Sequence, residues 1–161
     1  MTTPQTINLN ITINNPATAM TDIAKALADK LDVIAGKKLP EGVYRIHGTD
    51  LLYTFTGSVT HHEASAAVAQ LEQVPGHAPW DLATPHEAIQ LVDYSKHSPA
   101  VDTDKHPGIK SEWFWLKDKD ASSPSGYAWS VGFGTGSICR LSRGSRVRAL
   151  AVCRPWPASQ Q

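Results

Sequence analysis

The sequence of 161 residues has few cysteines and no acidic residue after Asp120. Its two cysteines, Cys139 and Cys153, are too few for a disulfide framework or a four-cysteine zinc site, although on adjacent strands they could form one bridge. The uncharged run from Ala121 to Cys139 is rich in serine and glycine, so it cannot span a membrane. The start of the chain lacks the basic and apolar regions of a secretory signal. We therefore expect a globular protein with buried thiols, no export signal and no membrane insertion.

The absence of late acids makes the charge distribution uneven, although the formal net charge is zero. Residues 121–161 contain five basic side chains, namely Arg140, Arg143, Arg146, Arg148 and Arg154. A basic end of this kind either attracts an anionic partner, or it is a solvated face or pairs with acids from the rest of the fold or from a neighbouring subunit. The sequence leaves both interpretations open.

The first 40 residues predict a strand followed by a helix. Apolar and polar residues alternate from Ile7 to Ile13, which is typical of a half-buried strand. Apolar residues then recur at helical spacing from Met20 to Ile34, and Gly36 is a suitable C-cap. This narrow, nearly heptad stripe predicts packing on the domain or on the same helix of other chains. We expect residues 1–40 to be an arm for attachment or oligomerisation.

Residues 41–157 predict one domain of mixed helix and strand, followed by a short tail at 158–161. Two capping-box sequences open predicted helices, one at Thr60 with Glu63 and one at Thr84 with Glu87. The second helix is expected to bury Ile89, Leu91 and Val92. Short strands are predicted near 43–46 and 51–55, a loop at 96–112, and β-structure from Trp113 onward.

The glycines at 132, 134 and 136 predict a hairpin rather than a phosphate-binding loop. A dinucleotide fingerprint would need its third glycine at Ser137, no helix pattern follows, and there is no Walker lysine. The flanking residues instead alternate as strands, and glycine tolerates the positive φ of a tight turn.

Signals for catalysis or metal binding are weak. His62-Glu63 and His86-Glu87 begin like a zinc-protease motif, but neither has the second histidine. His61 and His62 are expected at the surface. The pairs Asp102/Asp104 and Asp118/Asp120 lack the glycine and the distal glutamate of a calcium loop. We therefore nominate no catalytic residue, no metal and no cofactor.

Six aromatic residues crowd between Trp113 and Phe133. Alternation assigns Trp129 and Phe133 to a core face, and it turns Phe114 away from the tryptophans on either side of it. One side of this strand is a candidate ligand surface, and core packing is the alternative. The candidate ligand-binding residues are Arg140, Arg143, Arg146, Arg148, Trp113 and Trp115.

The order of these segments resembles the Lcl C-terminal-like domain family, a module of bacterial and phage proteins. The family has a Trp-Arg-Leu-Pro-Thr segment, which is followed by a glutamate and then by Leu-Val-Asp. The matching residues here are Trp80, Leu82, Thr84, Glu87, Leu91, Val92 and Asp93. Its hairpin and closing segments are similar to Ala128, Trp129, Phe133, Gly136, Val147-Arg148 and Val152-Cys153-Arg154. The resemblance covers about residues 50–154.

The resemblance implies a C-type-lectin-like fold, binding at cell surfaces, including anionic glycans, and no established catalysis. We expect an α+β, C-type-lectin-like domain with two helices and an antiparallel sheet, preceded by the strand–helix arm.

The expected function is that of a non-enzymatic phage virion component, such as a tail-fibre, receptor-binding or capsid-decoration protein. Its expected partners are a cell-surface glycan, other virion proteins and further copies of itself through the arm, and not nucleic acid. One alternative is an exported bacterial glycan-binding adhesin. Another is a small enzyme of the formylglycine-generating type, with copper held by Cys139 and Cys153.

Overall fold

The computed structural model describes residues 19–35 and 38–157, and the chain divides after Pro40 into two units, which are described separately. In the first unit, helix α1 spans Ala19–Ile34, and none of its residues is buried. One stripe of this helix exposes five large apolar side chains, Met20, Ile23, Leu27, Leu31 and Ile34. The predicted strand at 7–13, the predicted cap Gly36 and the tail at 158–161 lie outside the described residues.

The second unit contains seven strands and two helices in its described part. In chain order they are β1 (Tyr44–Arg45), β2 (Leu52–Val59), α2 (His61–Ala69), β3 (Asp81–Leu82), α3 (Pro85–Ile89), β4 (Trp113–Lys119), β5 (Tyr127–Gly132), β6 (Ser137–Ser142) and β7 (Val147–Cys153).

The strands form one sheet in the order β1-β2-β7-β4-β5-β6, and β3 pairs with β7 off this path. Every pair is antiparallel except β4 with β7, where Phe114 lies opposite Arg148. The last strand is therefore central, and its residues from Ala149 to Cys153 are buried, as their unbroken apolar run predicts. The predicted α+β class is confirmed.

Both helices of this unit begin at the predicted capping boxes. The Thr84 amide donates to Glu87 Oε2 at 2.8 Å, and the Glu87 amide donates to Thr84 Oγ1 at 3.2 Å. The Thr60 amide likewise donates to Glu63 Oε2 at 2.9 Å. Helix α3 is shorter than predicted, because it ends at Ile89 while the core residue Leu91 lies in the turn that follows.

Aromatic rings fill the core on one face of the sheet. The ring centroid of Phe114 lies 4.9 Å from that of Phe55 and 5.5 Å from that of Phe133. Tyr53 is also fully buried, and its hydroxyl donates to the Pro107 carbonyl oxygen at 2.9 Å. This hydrogen bond ties the long loop between α3 and β4 to the sheet.

The glycines after β5 form the predicted hairpin. Strands β5 and β6 pair antiparallel from Tyr127↔Ser142 to Gly132↔Ser137. Gly136 has a φ of +74°, and a Cβ at this position would collide with Val92 Cγ1. The loop therefore needs glycine for both its backbone conformation and its close contact with the core.

Candidate functional site

Trp113 lies at the start of β4 and leaves 38% of its surface exposed. It is in register with Gly132 on β5, and a Cβ built on Gly132 would lie 2.8 to 2.9 Å from three atoms of the six-membered indole ring. The ring therefore occupies the space where any other residue at 132 would place a side chain. The result is an aromatic surface that is supported by the sheet and open to solvent.

Hydroxyl groups lie near this ring. Ser137 on β6 is in register with Gly132, so its side chain shares the face of the sheet that carries Trp113. Its Oγ lies 2.8 Å from Oγ1 of the exposed Thr135. Ser111, also exposed, has its Cβ 3.9 Å from the position that a Cβ on Gly134 would take. Neutral polar groups thus border the exposed indole.

Trp115 is removed from the candidate set because it is fully buried. Its indole nitrogen donates to the Val59 carbonyl oxygen at 3.0 Å, and its ring packs edge-on against His61 at 5.2 Å between centroids. Alternation correctly separates Trp115 from Phe114, but helix α2 covers one face of β4 and the aromatic core covers the other. A ligand can therefore reach only the first tryptophan of the pair.

Two of the predicted arginines pair with carboxylates and stack on aromatic rings. Arg140 donates to Asp120 Oδ2 at 2.9 Å and lies over the Tyr127 ring at 5.6 Å. This hydrogen bond, together with two from Ser122, lowers the pKa of Asp120. Arg148 lies 4.9 Å from the Phe55 ring centroid, donates to the Thr56 carbonyl oxygen, and has its Nη1 3.7 Å from Glu112 Oε2. Both guanidinium groups are compensated within the chain.

The other arginines are also engaged in the described structure. Arg146 donates to the Ser58 carbonyl oxygen at 3.0 Å and lies 3.4 Å from Glu63 Oε2. Arg154 forms a bidentate pair with Glu87, with both hydrogen bonds at 2.8 Å. Arg143 contacts His61, His62 and the Pro124 carbonyl oxygen instead of a carboxylate. Of the two interpretations of the basic end, the structure favours pairing within the fold.

His61 is buried, which corrects the expectation of a surface position. Its Nε2 lies 3.2 Å from the Leu116 carbonyl oxygen, and its Nδ1 accepts from Arg143 Nε at 3.3 Å. Burial lowers the pKa of His61, the hydrogen bond to Leu116 opposes this, and Arg143 lowers it further. The sequence does not predict this burial, because the hydrogen-bond partners Leu116 and Arg143 are 55 and 82 residues away from His61.

The two cysteines are far apart and unpaired. Cys139 is exposed on β6, whereas Cys153 is buried on β7, three strand spacings (about 14 Å) away across the sheet. The Cys153 thiol donates to the Ala78 carbonyl oxygen, and burial raises its pKa to about 11. A copper site that uses both thiols does not fit this arrangement.

Two further findings concern only the part of the chain that the structure describes. No group of three or more His, Cys, Asp or Glu side chains is arranged to hold a metal ion there. None of the described helices is both long enough and apolar enough to cross a membrane.

The second unit is thus an α+β domain whose late arginines are engaged within the fold and whose Trp113 ring is exposed. A sequence model of the Lcl C-terminal domain matches residues 36–153, which is most of the chain. The chain belongs to the Lcl C-terminal domain family, and this membership points to a binding domain rather than an enzyme.

Among solved structures, the chain is similar to the crystal structure of the C-type lectin CEL-I from Cucumaria echinata. The two share 9% identity with a TM-score of 0.45, over 72% of this chain and 97% of that chain. The structure of the EPNH mutant of CEL-I gives 10% identity and a TM-score of 0.46, over 72% and 96% of the two chains. With TM-scores below 0.5, neither likeness carries an argument about this chain. A comparison with curated proteins finds no match.

Proposed function

We propose that this protein is a non-enzymatic recognition protein that works as a component of a phage or prophage virion. Residues 41–157 would bind a surface glycan, and residues 1–40 would hold copies of the chain together. The observation that carries the recognition part is the exposed Trp113 ring, supported by the sheet at Gly132 and bordered by hydroxyl groups. Family membership supports the same conclusion.

The assembly part rests on helix α1. Its exposed apolar residues follow one another at intervals of three, four, four and three residues. Leu31 therefore stands eleven residues after Met20, and Ile34 stands eleven residues after Ile23. An eleven-residue repeat of this kind keeps the same stripe of each helix in contact when copies lie side by side. Asp22, Lys25 and Asp29 fall on the opposite side of the helix, and Lys30 lies at the edge of the stripe, beside Ile23.

The virion part is tested by locating the protein. Particles purified from a culture that expresses the gene would be analysed by mass spectrometry, alongside the cell-surface fraction of the same culture. We expect the chain in the particles at a fixed ratio to the major structural proteins. Recovery only from the cell surface would overturn the virion role and support an exported adhesin instead.

The assembly part is tested by analytical ultracentrifugation of the full chain. We expect an oligomer in the wild type and a monomer in the variant Leu27→Glu/Leu31→Glu, because charges on the stripe oppose helix contact. Lys25→Glu, on the opposite side of α1, is the matched control and should stay oligomeric. A monomeric wild type, or an oligomer that survives the double substitution, would contradict this arrangement.

A further inference from the structure

The surface around Trp113 has a shape that suits a flat, uncharged ring. The indole lies over Gly132, where the missing side chain lets it approach the backbone of β5. An aromatic ring held in this way provides a large rigid contact area at little entropic cost, because it loses few rotamers on binding. A pyranose ring presents an apolar C–H face of similar dimensions, with hydroxyls around its edge.

The hydroxyl residues that the register and the hairpin loop place near the indole are neutral. Ser111, Thr135 and Ser137 offer hydroxyls that both donate and accept hydrogen bonds, which matches the hydroxyls of a sugar. The nearest carboxylate in sequence, that of Glu112, lies within ion-pair distance of Arg148. Because Arg148 stacks on Phe55 and Phe114, this pair belongs to the other face of the sheet.

The arginines of the basic end are poorly placed to attract an anion. Four of them have a carboxylate within 4 Å, at Asp120, Glu63, Glu112 and Glu87. The neighbouring carboxylate thus largely cancels the electrostatic field of each of these four guanidinium groups. Arg143 is occupied by two histidines and a carbonyl oxygen. The donors of all five arginines are thus engaged within the fold, which disfavours them as direct contacts for an anion.

Building on the proposed glycan-binding function, we propose that the ligand is a neutral sugar that stacks on Trp113. Its hydroxyls bind to Ser111, Thr135 and Ser137, and the arginines take no direct part. The binding energy comes from apolar contact and neutral hydrogen bonds, so it depends little on ionic strength. This separates the proposal from recognition of an anionic glycan, which releases counterions and weakens steeply with salt.

The test uses the full chain on a glycan microarray that carries neutral and sulfated oligosaccharides, followed by titration calorimetry with the best binder. We expect a neutral glycan whose affinity changes less than about twofold between about 50 and about 500 mM salt. Trp113→Ala should weaken its binding at least about tenfold, because a central aromatic contact is lost. Quenching or a shift of tryptophan fluorescence on binding should disappear in the same variant.

Trp156→Ala is the matched control, since Trp156 is also 38% exposed but lies after the last strand. It should bind within about twofold of the wild type. Gly132→Ala provides a second variant, because its methyl group must displace the indole while both aromatic residues remain. It should weaken binding as well, and circular dichroism should show that each variant folds.

The possible outcomes separate the two proposals. Salt-sensitive binding of a sulfated glycan that Trp113→Ala leaves unchanged would overturn the stacking proposal and keep the glycan-binding function. Absence of binding to every glycan on the array would overturn both. Equal losses in Trp113→Ala and Trp156→Ala would also count against a specific site at Trp113.

Discussion

His61 lies between two hydrogen-bond partners, and only its neutral form can make both hydrogen bonds. Its Nε2–H donates to the Leu116 carbonyl oxygen, so its Nδ1 is free to accept from Arg143 Nε. A proton on Nδ1 would remove that acceptor and place a second positive charge beside the guanidinium group. The neutral imidazole therefore belongs to the folded structure, where it joins the start of α2 to β4 and to the β6–β7 turn.

We predict that the free energy of unfolding falls as the pH drops below the ordinary histidine pKa of about 6.5. Because the pKa of His61 is lower in the folded protein, only the unfolded chain takes up the proton in this range. The stabilisation is complete above about pH 6.5 and is lost progressively as the pH falls towards the folded pKa. Urea unfolding at about pH 7.5 and about pH 5.5 measures this loss.

The control for this prediction is His61→Gln, which keeps a polar side chain but does not titrate. The variant should be less stable than the wild type at neutral pH and should lose less stability on acidification. His106 is also buried with a lowered pKa, so it contributes equally to both proteins and cancels in the comparison. Equal pH dependence in the two proteins would contradict the role of His61.

At the scale of elements, Glu87 combines a local contact with Thr84, in the capping box, and a distant contact with Arg154. Its carboxylate accepts from the Thr84 amide at the start of α3 and from both Nε and Nη2 of Arg154 just after β7. One side chain thus caps a helix and holds the end of the last strand. Its side chain is only 12% exposed, so solvent does little to replace these contacts.

We expect Glu87→Ala to destabilise the domain by about 3 kcal/mol, of which about 1 comes from the cap and about 2 from hydrogen bonds to a charged group. Glu63→Ala is the matched control, because Glu63 has the same place in the other capping box but pairs with Arg146 at an exposed position. Glu63→Ala should lower the free energy of unfolding by clearly less than Glu87→Ala does. Thermal unfolding of both variants measures the difference, and an equal effect would show that the Arg154 pair adds nothing.

The elements that the sequence predicts best are those with local signals. Thr60 and Thr84 define helix starts because their capping partners are three residues away. The hairpin at Gly136 follows from the need for a positive φ. The arginine pairs could not be predicted, because Arg154 and Glu87 are 67 residues apart and meet only through the sheet. The same limit hid the burial of Trp115, which depends on α2 rather than on its own strand.

At the scale of the whole molecule, the sheet order explains both the pairing of the late arginines with earlier carboxylates and the separation of the two thiols. Arginines of the last part of the chain meet carboxylates from earlier in the same domain, such as Glu63 and Glu112, because β7 inserts between β2 and β4. The same insertion leaves β4 and β5 between Cys139 and Cys153. The α+β class is visible in the sequence, whereas the strand order is not, because no local pattern records which strands become neighbours.

We predict that a thiol reagent labels one cysteine of the folded protein within minutes and the second only on unfolding. Cys139 is exposed, whereas Cys153 is buried with a pKa raised to about 11, which leaves little thiolate at neutral pH. Ellman titration with and without denaturant measures the two rates, and Cys139→Ser should remove the fast one. Two fast thiols, or none, would contradict the placement of β6 and β7.

The central position of β7 also sets the order of events when the protein is made. A ribosome releases the chain from its amino end, so β2 and β4 leave it long before the strand that pairs with both of them. Until residue 153 has emerged, the middle strand of the sheet is missing, and no ladder of backbone hydrogen bonds joins β2 to β4. The domain therefore completes its sheet only at the end of its own synthesis, and a chain cut short before β7 lacks the strand that joins its halves.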